Sequence, residues 1–400
     1  MTTLKWQQAV SGLGSALRCA VSNVGTSQPT PWAMSFLVTA RCGLRCKHCF
    51  YHYFKSTARD ELTLDEYRRL SAGLGPFPVA LFCGGEPFLR PDLGEIITLF
   101  RRNNGVHLAS ATTNGQHQRS VVTQVEAILA DEPHKPFMLG ISLEGRREVH
   151  DAIRGEGSFD KAVATFHACR ELRSRYPNLS LTATTVVSTL NQHHAADFVR
   201  WAARELEPNS HCVLLVRQSP RDGEAMKEVD IAHYEEAQRE AVAAMRRGPW
   251  HQRLRPDALY LEAVARHVAH THRTGVRSFH CHAGRHGALI DPIGRVQVCE
   301  ALAEVPSIGH IGTLRDHDMD FHALWRTLEA ERARAMVNRA APCRGCTHET
   351  MGHATSLPFP PNWLWRLRHD DGPSALDDDD AQDPAHPGPV PELVQLRRGP

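Results

Sequence analysis

Three cysteines near the start of the chain have a spacing suited to binding metal. Cys42, Cys46 and Cys49 follow the pattern C-x3-C-x2-C. Three thiolates in so short a loop can hold three irons of a [4Fe–4S] cluster, and the fourth iron then has no protein ligand. Such an iron is a site for chemistry rather than a simple electron store. Unrelated free cysteines, or part of a zinc site, are the alternatives, although a structural zinc site uses four ligands.

Four further cysteines form a second group, which begins near residue 280. They are Cys281, Cys299, Cys343 and Cys346. The segment 289–299 has the pattern of a β-hairpin whose turn is Asp291-Pro292-Ile293-Gly294. Together with the first three, these cysteines have the clustered spacings typical of metal sites. Cys343-x2-Cys346 has the spacing of a zinc half-site.

Six short apolar segments alternate with helical patterns in the first 250 residues. The predicted strands are Met34–Ala40, Val79–Phe82, His107–Thr112, Phe137–Ser142, Ser180–Val187 and Cys212–Val216. The predicted helices are Leu62–Gly73, Leu93–Asn103, Ser120–Ala130, Phe159–Arg173, His193–Glu205 and Ile231–Met245. Repeated strand–helix units indicate a parallel sheet with right-handed crossovers. We therefore predict an α/β fold built on a partial (β/α)6 barrel of the TIM type.

Polar or glycine-rich turns follow the first four predicted strands. Cys42 follows the first, Gly84-Gly85-Glu86-Pro87 the second and Thr113-Asn114-Gly115 the third. Ser142-Leu143-Glu144-Gly145 begins at the end of the fourth. In a barrel of parallel strands, the carboxyl ends meet on one rim, where such enzymes keep their active sites. We therefore expect these four turns to surround one site.

The cysteine motif at residues 42–49, together with Gly84-Gly85-Glu86-Pro87, resembles the radical S-adenosylmethionine (SAM) superfamily. The similarity covers about Met34–Arg217. The resemblance implies that the open iron chelates the amino and carboxylate groups of SAM. One electron from the cluster then cleaves SAM into methionine and a 5′-deoxyadenosyl radical, which removes a hydrogen atom from the substrate.

The resemblance also implies which residues contact the cofactor. The implied SAM-binding residues are Gly84, Gly85, Glu86, Ser142, Glu144 and Arg154. The two glycines would leave room near the methionine amino group, and Glu86 would lie beside its positive charge. Arg154 would pair with the SAM carboxylate, as a planar guanidinium does well. A plain glycine turn and a surface arginine are the alternative interpretations.

The second cysteine group resembles the C-terminal extension called SPASM, or its shorter relative the twitch domain. Four cysteines fit the twitch type, which implies one auxiliary [4Fe–4S] cluster held entirely by cysteine; a four-cysteine zinc site is the alternative. The predicted domains are an N-terminal extension (1–33), the radical SAM partial barrel (34–250), a small twitch-like domain with a β-hairpin and helix (275–353), and a disordered, acidic, proline-rich tail (358–400).

Composition limits the classes of partner and the compartment. The chain has 400 residues and a formal net charge of +1, so we expect no nucleic-acid partner. It has no apolar run of about 20 residues, so we expect no membrane span. Eleven cysteines, an odd number, fit poorly with a secreted disulfide framework. Clustered thiolates persist best in a reducing compartment, which predicts a cytoplasmic protein.

The leading functional hypothesis is a radical SAM enzyme that oxidises or rearranges a small molecule in secondary metabolism. Only about 33 residues precede the first predicted strand, which disfavours an N-terminal peptide-recognition domain. A maturase that modifies a ribosomally made peptide or a protein side chain is the second hypothesis. The third is an iron–sulfur carrier without catalysis, and the fourth a zinc-stabilised binding protein. An enzyme of the first or second kind needs a reducing partner such as flavodoxin or ferredoxin.

Overall fold

The computed structural model describes residues 3–22, 30–247, 256–277, 280–303, 305 and 309–348. The acidic tail predicted at 358–400 lies outside these residues. No described helix has the length and apolar character needed to cross a bilayer, as the composition predicted.

A sheet of nine strands runs through the described part of the chain in the order β6-β5-β4-β3-β2-β1-β7-β8-β9. The strands are β1 (Ala33–Thr39), β2 (Val79–Gly84), β3 (Leu108–Thr113), β4 (Phe137–Ser142), β5 (Leu179–Val187), β6 (Ser210–Leu215), β7 (Gly287–Ile290), β8 (Arg295–Gln297) and β9 (Gly312–Thr313). Strands β1 to β6 are parallel and adjacent in chain order. This arrangement confirms the predicted α/β partial barrel.

Helices connect the parallel strands and cover the sheet. They are α1 (Thr3–Ser22), α2 (Leu64–Gly73), α3 (Leu93–Asn103), α4 (Gln118–Asp131), α5 (Arg147–Arg154), α6 (Ser158–Arg175), α7 (Gln192–Glu205), α8 (Ile231–Met245), α9 (Pro256–Thr274), α10 (Phe321–Trp325), α11 (Leu328–Met336) and α12 (Ala341–Arg344). Helices α2, α3, α4, α6, α7 and α8 correspond to the six predicted ones. Helices α1, α5 and α9 were not predicted.

Aromatic side chains fill the space between the first strands and their helices. Phe36 of β1 stacks on Phe82 of β2 at 5.3 Å and on Phe100 of α3 at 4.4 Å between ring centroids. Phe77 and Tyr67 close the same cluster, and all five rings are buried. Burial of this much aromatic surface fixes the first two strand–helix units, which carry the cysteine loop and the glycine pair.

The predicted hairpin of the second cysteine group joins the same sheet. Strand β7 pairs with β1 in parallel, with Ala33 opposite Gly287. Strands β8 and β9 then continue the sheet in the antiparallel sense. The division into a barrel that ends at residue 250 and a small domain that begins at residue 275 stays a prediction. Strands from both predicted domains belong to one hydrogen-bonded sheet. The second cysteine group is therefore attached at the edge next to the first one.

The glycine pair at the end of β2 allows a very close approach of two strand ends. The backbone N–H of Gly85 donates to the Thr39 carbonyl at 2.7 Å, and that of Glu86 donates to the Arg41 carbonyl at 2.8 Å. A Cβ atom on Gly85 would lie 2.2 Å from the Arg41 oxygen, and one on Gly84 would lie 2.3 Å from the Thr39 oxygen. Gly84 also has a φ of +128°, a conformation that L side chains rarely adopt. Only glycine fits at both positions.

We expect Gly85→Ala to lower the free energy of unfolding by about 1–3 kcal/mol, because backbone on both sides must move to admit the methyl group. Gly73→Ala is the matched control, since a Cβ at Gly73 in α2 meets no atom within 4 Å. That control should be neutral or stabilising by up to about 1 kcal/mol. The free energy of unfolding of both variants is measured by urea denaturation, with circular dichroism as the signal. Equal stability of the two variants would contradict the close approach described above.

Candidate functional site

The three-cysteine loop follows β1 and is held by backbone contacts with distant parts of the chain. The N–H of Lys47 donates to the Ile153 carbonyl at 3.0 Å, and the Lys47 carbonyl accepts from Asp222 at 3.0 Å. The Cys49 carbonyl accepts from the N–H of Arg221 at 3.2 Å. Helix α5 and the segment after β6 thus fix a loop that has little secondary structure of its own.

Two of the three thiols have a polar partner supplied by another strand end. The Cys42 Sγ accepts from the Asn114 side-chain amide at 3.5 Å. The Cys46 Sγ accepts from the Arg154 guanidinium at 3.6 Å. Hydrogen-bond donors near cluster thiolates tune the potential of an iron–sulfur cluster. The arrangement brings together, as predicted, the turns after β1, β3 and β4.

The chemistry of the thiols fits a cluster. Burial raises the pKa of Cys42, and it raises the pKa of Cys46 to about 11. The charges of Cys42, Cys46 and Cys49 repel one another, which adds to both shifts. Three thiolates in this place therefore need a cationic partner to remain ionised. Soft sulfur donors are the ligands that an iron–sulfur cluster requires.

Glu86 is fully buried and connects the ends of β2 and β3. One carboxylate oxygen accepts from the Thr113 hydroxyl at 2.9 Å and from the N–H of Phe88 at 3.2 Å. The other accepts from the N–H of Asn114 at 2.7 Å. Burial raises the pKa of Glu86, against the effect of these donors. The carboxylate thus holds in place the residue whose amide contacts Cys42.

Glu144 and Arg154 form a buried ion pair beside Cys46. Arg154 donates through Nε at 2.8 Å and through Nη2 at 2.6 Å to one oxygen of Glu144. The other oxygen accepts from the N–H of Val186 at 2.8 Å. Burial acts to raise the pKa of Glu144, but Arg154 beside it holds that pKa below its ordinary value. Arg154 therefore joins a sulfur of the loop to a carboxylate of the fourth turn.

His48, which was not among the predicted site residues, and the remaining predicted residues belong to the same rim. His48 is buried with its Nε2 3.8 Å from Glu144, and burial lowers the pKa of His48 to about 4. Ser142 is half-buried at the end of β4, opposite Thr184 of β5. Gly84 and Gly85 have the packing role described above, which sequence reasoning did not identify. Their assignment as SAM contacts stays a prediction.

The four cysteines of the second group line one cavity whose other walls are largely apolar. Ala283, Leu302 and Val337 contribute to these walls. Three of the cysteines are buried, and Cys346 is half-buried. Burial raises the pKa of Cys299 well above its ordinary value and that of Cys346 to about 11. Four sulfurs facing one cavity match the donor set of an auxiliary cluster, with zinc as the alternative.

Within the described ranges, no three His, Cys, Asp or Glu side chains converge closely enough to hold a single metal ion. In a cubane cluster each thiolate binds a different iron, so its ligands surround a larger body.

A buried carboxylate that sequence reasoning missed lies between the two cysteine groups. Glu300 accepts from Tyr51 Oη at 2.9 Å and from Arg217 Nη2 at 2.8 Å, and it also contacts His348. Burial acts to raise the pKa of Glu300, but His348 and Arg217 hold that pKa well below its ordinary value. The Arg217 guanidinium also lies over the ring of Phe50, 5.4 Å from its centroid.

The location of Glu300 in the chain was a signal that could have found it. Glu300 directly follows Cys299, and Tyr51 is the second residue after Cys49. The thiol of Cys83 lies 3.9 Å from the Tyr51 hydroxyl. The Glu300 carboxylate therefore links Tyr51, just after the first cysteine loop, with His348, just after the last cysteine of the second group.

Comparison with known proteins agrees with this geometry. Residues 36–202 match the family model described as the radical SAM superfamily. A curated relative, Fe-coproporphyrin III synthase from Methanosarcina barkeri (strain Fusaro / DSM 804), is 33% identical over 137 residues. That stretch is 34% of this chain and 33% of the relative, so the match spans about a third of that protein's length.

Two solved structures show a similar fold. Native anSMEcpe with bound AdoMet and Kp18Cys peptide has a TM-score of 0.52 at 16% identity, over 76% of this chain and 83% of that one. SuiB from Streptococcus suis bound to S-adenosylmethionine has a TM-score of 0.55 at 13% identity, over 84% of this chain and 76% of that one. At these identities the likeness concerns the fold.

The family match covers β1 to β5, the cysteine loop, the glycine pair and the Glu144–Arg154 ion pair. The part of this chain that is similar to the radical SAM superfamily is therefore the part that holds the proposed cluster and SAM site.

Proposed function

We propose that this protein is a radical SAM enzyme that acts on a small molecule. The observation that carries the proposal is the three-cysteine loop, in which the sulfurs of Cys42 and Cys46 contact Asn114 after β3 and Arg154 at the end of α5. When bound, a [4Fe–4S] cluster and SAM would supply one-electron cleavage of SAM to the 5′-deoxyadenosyl radical, which removes a hydrogen atom from the substrate. The residues described below bind, orient and shield these groups.

Cys42, Cys46 and Cys49 would hold the cluster, and the turns after β2 and β4 would bind SAM. Arg154 has two donors on Glu144, and its Nη1 points to the sulfur of Cys46. A SAM carboxylate at the open iron would therefore lie beside a guanidinium that is already oriented. Such preorganisation lowers the entropic cost of binding.

The remaining turn residues would serve the same cofactor. Both oxygens of Glu86 are occupied by Thr113, Phe88 and Asn114, so its main role would be to fix the pocket wall beside the SAM ammonium group. Gly84 and Gly85 would keep that wall close to the cysteine loop. Ser142 is half-buried at the rim, where its hydroxyl would contact the SAM ribose.

Cys281, Cys299, Cys343 and Cys346 would hold an auxiliary [4Fe–4S] cluster. All four line one cavity, and the neighbouring Glu300 reaches Tyr51 beside the first loop. An auxiliary cluster in this place would accept an electron from an oxidised substrate radical or support the fold. The electron for the first cluster would come from a flavodoxin or ferredoxin in the cytoplasm. The near-neutral net charge of +1 gives no reason to invoke nucleic acid.

Two observations bear on the substrate class. The curated relative, which matches about a third of this chain, is named as a synthase of Fe-coproporphyrin III, which is a small molecule. Arg217 and Tyr51 both donate to the buried Glu300 carboxylate between the two cysteine groups, so they carry no information on the charge of the substrate. A peptide is the second candidate, because anSMEcpe, with its similar fold, is solved with a bound peptide.

The first test counts iron and sulfide in protein prepared without oxygen. We expect about eight irons per chain, falling to about four in the Cys42→Ala/Cys46→Ala/Cys49→Ala variant, as for two cubane clusters. Cys169→Ala is the control, because this buried thiol belongs to neither group and should leave both clusters intact. Absence of inorganic sulfide would indicate zinc sites instead. Full clusters without 5′-deoxyadenosine formation under dithionite and SAM would indicate a carrier.

The second test concerns Arg154. We expect Arg154→Lys to retain the cluster, since the positive charge beside Cys46 remains, but to weaken SAM binding about tenfold or more through loss of the planar fork. Arg147→Lys is the matched control on the same helix, because Arg147 is exposed and pairs with Asp160. Equilibrium binding of SAM, normalised to iron content, measures both variants. Unchanged affinity in Arg154→Lys would remove this residue from the SAM site.

The third test separates the substrate classes. An extract of deuterium-labelled native cells is divided by ultrafiltration at about 1 kDa, so that drug-sized molecules pass and most peptides and proteins are retained. Each fraction is incubated with reduced enzyme and SAM. A small-molecule substrate predicts deuterium in 5′-deoxyadenosine with the filtrate, detected by mass spectrometry. Enzyme lacking the first three cysteines is the control. Deuterium transfer from the retained peptides and proteins alone would overturn the small-molecule assignment in favour of a maturase.

A further inference from the structure

A second cavity lies at the end of the barrel opposite the cysteine loop. Its walls include Pro76, Gly105 and Lys135, which precede β2, β3 and β4, whereas the cysteine loop follows the carboxyl end of β1. Its volume of about 370 Å³ is in the range of small-molecule sites. No residue assigned above to a cluster or to SAM lines it, so its occupant would be a separate ligand.

The lining of this cavity is strongly basic for a chain with a net charge of only +1. Four of its residues are cationic, namely Arg18, Arg101, Arg102 and Lys135. Glu132 is the one acidic residue among those that line it in the described structure, and it pairs with Lys135 at 3.1 Å. Asp131 neutralises Arg102 in a separate ion pair. The other two cations, Arg18 and Arg101, form no direct ion pair with a described residue, although Asp131 and Glu132 lie close enough to act on the charge of Arg101.

Arg101 is the more unusual of these two cations. Its side chain is 1% exposed, and its terminal nitrogens donate to the carbonyls of Ile128 at 3.1 Å and Pro136 at 2.9 Å. Its Nε is buried without a hydrogen-bond partner, and it forms no ion pair within the described part of the chain. Burial lowers the pKa of Arg101 to about 10. The guanidinium also lies over the ring of Phe137, 5.9 Å from its centroid, and Asp131 and Glu132 act on its charge without a direct ion pair. A buried charge without a direct counter-ion is costly, and a bound anion would compensate it.

Arg18 brings the second free charge to the cavity from helix α1. Its guanidinium lies on Gly105, where an added Cβ would be 3.2 Å from Nη2. The neighbouring Ser15 hydroxyl donates to the Gly105 carbonyl at 2.6 Å, which fixes this turn of α1 on the barrel. Arg18 is exposed and makes no ion pair with any described residue. Its donors are therefore available to a ligand.

We propose that this cavity binds a small phosphorylated molecule. Guanidinium groups bind phosphate oxygens through two parallel hydrogen bonds, and Lys135 adds a point charge. The ligand would connect Arg18 of α1 with Arg101 and Arg102 of α3. Because it would bind only the folded protein, it would raise the unfolding temperature. This site is independent of the proposed radical chemistry at the other end of the barrel.

Isothermal titration of the full-length protein with inorganic pyrophosphate, in a phosphate-free buffer of low ionic strength, tests the proposal. We expect one binding site and a higher unfolding temperature with pyrophosphate. Arg18→Gln should weaken binding about tenfold or more, as for loss of a charge-assisted hydrogen bond, and should reduce the thermal shift at the same pyrophosphate concentration. Arg119→Gln is the matched control, because Arg119 is exposed and lies outside the cavity.

Three results would overturn the proposal. They are no binding of pyrophosphate, equal binding by Arg18→Gln and the wild type, and tighter binding of citrate, which would assign the site to carboxylates. Reductive formation of 5′-deoxyadenosine should be unchanged in Arg18→Gln. If the wild type forms no 5′-deoxyadenosine, that result counts against the proposed function alone, because pyrophosphate binding does not require SAM cleavage.

Discussion

The site depends on the close contact between the ends of β1 and β2. Two glycines allow the backbone after β2 to lie against residues 39–41, immediately before the first cysteine. This contact places Glu86, which holds Asn114 by its N–H, and the Asn114 amide reaches the sulfur of Cys42. A chain of short contacts thus runs from the glycine pair to the first thiol. Any side chain at Gly84 or Gly85 would displace every member of it.

A second chain of contacts reaches the same loop from the other side. Val186 of β5 donates to Glu144, which fixes Arg154, and Arg154 donates to the sulfur of Cys46. The carboxylate and guanidinium are buried together, so each compensates the desolvation of the other. The loop is therefore held by hydrogen bonds from separate strands rather than by its own secondary structure. Such rigidity suits a cluster whose open iron must meet one ligand in one orientation.

Local sequence patterns predicted the parallel sheet well, because strands buried on both faces appear as short apolar segments. Helix α1 was missed for a physical reason. Its buried face consists of small residues such as Ser15 and Cys19, whereas Leu13, Leu17 and Val21 are exposed. The regularly spaced apolar side chains of α1 therefore face solvent, so their spacing does not indicate the face that packs on the barrel. Helix α9 was missed because the alternation of strands and helices ends before it.

Contacts between residues far apart in sequence were beyond local patterns. Tyr51 and Glu300 are 249 residues apart, and their hydrogen bond exists only because β7 pairs with β1. The rim residues could be predicted, since each follows a strand, but their partners could not. The pairing of Arg154 with Glu144 and the use of both Glu86 oxygens within the fold required the three-dimensional structure.

Electron paramagnetic resonance of the dithionite-reduced protein, with and without SAM, tests the central claim most directly. If three cysteines hold a cluster with an iron open to SAM and four other cysteines hold a second cluster, SAM changes the signal of the first cluster and leaves that of the second unchanged. A spectrum with both clusters present and neither altered by SAM would contradict the account.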